Sequence, residues 1–157
     1  MEKVHMTPQG YQVLEDELKN LKFVERPNVI AAISEARSHG DLSENAEYHY
    51  AKEKQGFIEG RIKELESKLS RAEIIDITKL SGSNVKFGST VEIYDTATEE
   101  EITYKIVGID EADVKKGLLS MDSPLARALI GKEKGDEVTL RTPSGEKIYE
   151  IVNIKYV

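Results

Sequence analysis

The chain has 157 residues, with 22 Lys and Arg against 29 Asp and Glu for a net charge of −7, and 39% hydrophobic content. An acidic balance argues against a general nucleic-acid binder, which presents a basic face. Zero cysteines exclude disulfides, thiolate zinc sites and a Cys nucleophile.

No apolar run approaches the ~20 residues of a membrane helix. The opening Met1-Glu2-Lys3-Val4-His5-Met6 lacks a signal-peptide stretch, so a soluble, cytoplasmic protein is expected. Thr7-Pro8 then supplies a helix cap and a first-turn proline. Tyr11, Leu14, Leu18 and Leu21 follow at spacings of three and four, and the same seam resumes at Ile30 and Ile33. Pro27 lies in the gap and predicts a kink, since it removes one hydrogen bond from the helix.

Ser38-His39-Gly40-Asp41 breaks the helix. From Glu44 to Ala72 a second seam runs through Tyr48, Ala51, Gln55, Ile58, Ile62, Leu65, Leu69 and Ala72, an a/d pattern longer than three heptads. Laid antiparallel, Leu14 faces Leu65, Leu18 faces Ile62, Leu21 faces Ile58 and Ile33 faces Tyr48. The expectation is an αα-hairpin turning near residue 40, a rod roughly 45 Å long at about 1.5 Å per residue.

The polar stretch 78–84 reads as a linker between a domain at 1–77 and another at 85–157. Beyond it the period becomes that of strands. Val91 and Ile93, then Ile102, Tyr104 and Ile106, alternate with polar neighbours. Val138-Thr139-Leu140 and Ile148 to Tyr156 follow, joined through the turn Pro143-Ser144-Gly145. Between them, Ser123 to Gly131 has Ser as cap, Pro at the first helical position and Gly past the end, a complete short helix. A small α+β unit with its sheet covered on one face is expected.

The turn of the hairpin concentrates the chemistry. Residues 38–51 hold no Lys or Arg but carry Asp41, Glu44 and Glu47, with Arg37 and Lys52 bounding the window. Two readings fit Asp41 and Glu44. They form a capping box at a helix start, or they are half of a magnesium site that a partner completes. His39 and His49 lack a third ligand and read as surface residues. Tyr48 falls on the seam, whereas Tyr50 is available to a partner. The chain has no P-loop, no G-x-G-x-x-G and no G-x-S-x-G.

The run from Glu35 to Tyr48, the following Gly56-Phe57-Ile58-Glu59-Gly60-Arg61-Ile62, the helix from Ser123 to Lys132 and the opening Met6 to Gly10 together resemble the bacterial Gre transcript-cleavage factors. The likeness spans essentially the whole chain. It implies a coiled-coil rod followed by an FKBP-like domain that docks on RNA polymerase, with Asp122, Ser123, Pro124 and Leu125 matching the docking loop. By the same resemblance the rod enters the secondary channel, and Asp41 and Glu44 are the catalytic pair that helps hold a second Mg2+. Ser43 matches an assisting tip position. Arg37 and Lys52 lie in the region of the basic patch that contacts the extruded nascent RNA, and their sparseness suits the members that release short fragments.

The resemblance therefore implies a factor that activates cleavage by the polymerase without being an enzyme itself, expected to be monomeric in the complex and independent of membranes. Two other functions compete with this one. One is a channel-entering regulator that inhibits without cleavage, which the intact Asp41 and Glu44 disfavour. The other is a peptidyl-prolyl isomerase on the C-terminal domain, which the scarcity of aromatics there disfavours: Phe87, four tyrosines and no Trp.

Overall fold

A computed structural model describes residues 2–41 and 44–157; the readings placed on Leu42 and Ser43 lie outside the described residues. Packing divides the chain into two units. One comprises Tyr11–Ala72 with Glu2 and Lys3, the other Val4–Gly10 with Glu73–Val157. The boundary thus falls earlier than the 78–84 stretch, and seven N-terminal residues belong to the C-terminal unit. Strand β1 (Val4–Met6) is the reason: it pairs with β2 (Ala72–Ile74), and the Ile75 N–H donates to the Met6 carbonyl at 2.8 Å. Nor is the polar stretch bare, since Asp76 caps a 3-10 turn at Ile77–Lys79 by accepting from the Thr78 N–H at 3.0 Å.

Helix α1 (Pro8–Asn20) starts where the Thr7-Pro8 signal places it, with Thr7 Oγ1 accepting from the Gly10 N–H at 3.1 Å. It passes through a π-helical turn, Leu21–Glu25, into α2 (Arg26–Arg37). Pro27 accounts for that turn. In an α-helix its ring would meet the Phe23 carbonyl. The wider π turn instead lets the Arg26 N–H bond to the Leu21 carbonyl, five residues back.

The π turn also corrects the predicted seam. An unbroken α-helix would continue from Leu14, Leu18 and Leu21 to Glu25, Asn28, Ala32 and Glu35. One inserted residue moves those positions to Arg26, Val29, Ile33 and Ala36. Val29, Ile33 and Ala36 are indeed buried, while Ile30, placed on the seam by its sequence, is 51% exposed. Helix α3 (Ala46–Ser70) has no insertion, and Ala51, Ile58, Ile62 and Leu65 are buried on the expected stripe. Val29, Ile58 and Ile62 form the hairpin's core, with Leu18 and Leu21 against it. Two bidentate pairs tie the helices along the flank: Arg61 to Glu17 at 2.6 and 2.9 Å, and Arg26 to Glu59 at 2.8 Å twice.

In the C-terminal unit, β3 (Thr90–Asp95), β4 (Glu100–Val107), β5 (Leu118–Ser120), β6 (Glu137–Thr142) and β7 (Gly145–Lys155) make one sheet in the order β5-β4-β3-β7-β6. In this sheet the β4–β5 pairing is parallel, and β3–β4, β3–β7 and β6–β7 are antiparallel. The alternation in β3 buries Val91 and Ile93. Helix α4 (Pro124–Leu129) adds Ala126 and Leu129 to the same core. The chain is therefore a helical hairpin plus a mixed α+β unit.

Candidate functional site

The site lies between the ends of α2 and α3. Helix α2 closes with the Ser38 N–H on the Glu35 carbonyl at 3.0 Å and the His39 N–H on the Ala36 carbonyl at 3.2 Å. Gly40 then takes φ +109°, a conformation that side chains resist, although nothing lies within 4 Å of where a Cβ would stand. Backbone conformation, not crowding, requires glycine here.

The start of α3 overturns the capping-box reading. Its cap is Asn45, in extended conformation, whose Oδ1 accepts from the Tyr48 N–H at 3.1 Å. The same side chain donates through Nδ2 to the Ala36 carbonyl at 2.7 Å, closing the turn across both helices. Asp41 and Glu44 precede the cap and therefore do not serve α3 as Ncap and N3. Both are exposed, as is Glu47 in the first turn of the helix. They share one open concavity with His39, Asn45 and Ala46.

Carboxylate oxygens are hard donors of the kind magnesium prefers, so the residue types fit that ion. Among the described residues, no cluster of three or more His, Asp or Glu side chains is gathered closely enough to hold a metal. The two carboxylates can contribute to a site but do not make a cage.

The flanking side chains are ordered around this turn. The Arg37 guanidinium lies over the Tyr48 ring, 5.9 Å from its centroid, and Tyr48 is half-buried as its seam position requires. Tyr50 is exposed, and so are His39 and His49. Arg37 and Lys52 are brought together in one groove between α2 and α3, with Ile33, Ser34 and Gln55. Lys52 donates to Gln55 Oε1 at 3.2 Å.

The residues matched to docking belong to the other unit. Ser123 caps α4, its Oγ accepting from the Ala126 N–H at 3.2 Å and donating to the Ser120 carbonyl at 2.8 Å. Asp122 and Pro124 are exposed, and Leu125 packs on the core. Sequence reasoning missed Asn45. The available signal was its residue type, three places ahead of Tyr48, where the seam of α3 begins.

Comparison with known proteins decides the family. A family model described as "Transcription elongation factor, N-terminal" matches residues 4–74, and one described as "Transcription elongation factor, GreA/GreB, C-term" matches residues 80–156. The chain belongs to the GreA/GreB family of transcription elongation factors. It is 64% identical to transcription elongation factor GreA of Hyphomonas neptunium, over 99% of each chain. It is 65% identical to GreA of Jannaschia sp., over the full length of both. Among solved structures, the GreA factor homolog 1 (Gfh1) protein of Thermus thermophilus is 30% identical, with 98% of this chain and 99% of that one covered at a TM-score of 0.45. Among the described residues, no helix is long and apolar enough to cross a membrane.

Proposed function

We propose that this member of the GreA/GreB family stimulates RNA polymerase to cleave its own backtracked nascent RNA, so that arrested complexes resume. It acts in the cytoplasm as a monomer in the complex, and the polymerase, not this chain, is the enzyme. The observation that carries the reading is the placement of Asp41 and Glu44: exposed, ahead of the Asn45 cap, in a window with no Lys or Arg. Carboxylates gathered in a stretch of sequence without Lys or Arg create a local negative potential that attracts cations.

In this reading the hairpin enters the polymerase's secondary channel, and the C-terminal unit, taken as FKBP-like, docks through Asp122, Ser123, Pro124 and Leu125. Asp41 and Glu44 would hold the second Mg2+ together with oxygens of the polymerase. When bound there, the ion supplies an activated water and neutralises charge at the phosphodiester. The task of Asp41 and Glu44 is to present oxygens at that place and to orient water by hydrogen bonding. Two ligands do not hold magnesium tightly by themselves, which makes the site a shared one. Arg37 and Lys52, adjacent in their groove, have the charge to contact RNA phosphates.

The test uses a stalled, backtracked bacterial polymerase complex with magnesium, the transcript being resolved by size. The wild-type chain should release a short 3′ fragment and restore extension. Asp41→Asn and Glu44→Gln should abolish release while still binding polymerase. Full cleavage by either variant, or an intact transcript with the wild-type chain, overturns the reading.

A further inference from the structure

We infer that β6 is the edge through which two copies of the free chain pair, antiparallel and centred on Thr139. The interface lies in the C-terminal unit alone and does not depend on the cleavage reading. Strand β6 ends the sheet order β5-β4-β3-β7-β6, with β7 on one side and, among the described residues, no strand on the other. The opposite edge is shorter and already engaged. There β5 has three residues, and Leu118 exchanges both backbone hydrogen bonds with Asp113 at 2.9 Å.

The β6–β7 register decides which backbone groups face outward. Thr142 lies opposite Gly145 across a two-residue turn, so Thr142, Leu140 and Val138 make the hydrogen-bonded pairs with Gly145, Lys147 and Tyr149. Strand β7 agrees. Its Ile148 carbonyl accepts from the N–H of Thr96, the residue after β3, at 3.1 Å and so points away from Thr139. Glu137, Thr139 and Arg141 therefore turn their N–H and C=O groups to the open edge. Their side chains are exposed on the solvent face of the sheet, while Val138 is buried and Leu140 half-buried on the other.

A two-fold axis requires the strand to complement itself. Centring the pair on Val138 leaves Arg141 opposite Gly135, outside the strand, and centring it on Leu140 sets Glu137 opposite Pro143, which has no N–H. Centring it on Thr139 engages all the outward groups. Glu137 then faces the partner's Arg141, Thr139 faces its own copy, and Val138 faces the partner's Leu140. Opposite-charge, Thr–Thr and aliphatic pairs are each favourable across a strand pair. Glu137 gains further, because β7 sets Glu150 directly opposite it and like charges so placed repel. Arg141 reaches Glu146 at 3.5 Å yet its side chain is 86% exposed, and a guanidinium has donors for a second carboxylate. Charges that protect an edge repel a copy of it. Here they stand at equal separations from Thr139 with opposite signs, so a copy is attracted. The contact is one short strand from each copy, which makes the dimer weak and reversible.

The test is sedimentation equilibrium of the full chain at rising concentration, with amide exchange followed by NMR. The wild-type chain should pass from monomer to dimer. The Glu137, Thr139 and Arg141 amides should gain protection as it does, while those of Val138 and Leu140, already bonded to β7, are protected throughout. Glu137→Arg and Arg141→Glu should each weaken the dimer at least about tenfold, since every opposite-charge pair becomes a like-charge pair. Combining them exchanges the charges and should restore the dissociation constant to within about threefold of wild type. Thr139→Pro removes an outward N–H and no bond to β7, and should leave the chain folded and monomeric. If Thr139→Pro does not fold, the charge-exchange set decides alone. A wild-type chain that remains monomeric up to about 1 mM overturns the inference. So does a dimer that leaves exchange at Glu137, Thr139 and Arg141 unchanged, or a double exchange no tighter than either single one.

Discussion

Asn45 binds across the hairpin turn to Ala36, its Nδ2 donating to the Ala36 carbonyl at 2.7 Å while its Oδ1 caps the helix that follows. One amide therefore closes the last turn of α2 and opens the first turn of α3. Because Asn45 does the capping, the acids before it are released from that task. The tip's geometry depends on a neutral side chain, and its charge is carried by others.

The first prediction follows from that double role. Asn45→Asp retains the cap oxygen but loses the donor and sets a charge against the Ala36 carbonyl; Asn45→Ala loses both bonds. Asn45→Ala should cost about 1–2 kcal/mol, and Asn45→Asp somewhat less, by denaturant unfolding. Amide exchange at Tyr48 should quicken in Asn45→Ala and stay slow in Asn45→Asp. The reverse order would mean that the cap, not the cross-turn bond, is dispensable.

A second prediction concerns Pro27 and the π turn. Deleting Val24 would return the helix to uniform α geometry and leave the buried stripe in phase. With Pro27 in place, however, its ring would then meet the carbonyl four residues back, at a cost of about 3 kcal/mol. Combining the deletion with Pro27→Ala removes that clash. The double change should be more stable than the deletion alone, a non-additivity readable in urea melts. Equal stability of the two would show that the π turn has another cause.

This phase shift marks where sequence reading succeeds and where it stops. The stripe of α3 was legible because a heptad pattern needs only side-chain identities and an unbroken helix. Ile30 was misplaced because Pro27 announces a disturbance without saying whether the chain will kink or insert a residue. Asp41-Leu42-Ser43-Glu44 has the spacing of a capping box, but an asparagine one residue later competes for the cap, and only backbone conformation decides between them. The three-residue strands β1 and β5 have no periodicity to read. Nothing in the sequence around Glu111 marks its bond to the Thr7 N–H, because the two residues lie 104 positions apart.

The third prediction is a pH dependence of the hairpin. The hydrogen bond from Arg61 holds the Glu17 carboxyl below its usual range, with the Arg61 charge adding to the effect. The folded value is below the unfolded one. The stabilisation is thus complete above about pH 4.3 and is lost as pH falls through the folded value. Both side chains are about one-third exposed, so solvent screening keeps the contribution below roughly 1 kcal/mol. Glu17→Gln should lower stability slightly at pH 7 and converge with wild type in acid. Thermal melts between neutral and acid pH, repeated in high salt, would test this; a constant difference at every pH would exclude the ion pair as its source.

The fourth prediction separates the three acids of the tip. Glu47 stands in the first turn of α3, where its charge complements the helix dipole, whereas Asp41 and Glu44 precede the cap. Glu47→Gln should therefore cost about 0.3–1 kcal/mol of stability and leave transcript cleavage within a fewfold of wild type. Asp41→Asn and Glu44→Gln should lose cleavage by at least about a hundredfold, the scale of a missing charge-stabilising group at a reaction centre. Raising magnesium should rescue Asp41→Asn and Glu44→Gln in part if they weaken cation binding, and should leave Glu47→Gln unaffected. Equal losses in all three variants would show that the tip acts through summed charge, and that no particular pair of carboxylates is required.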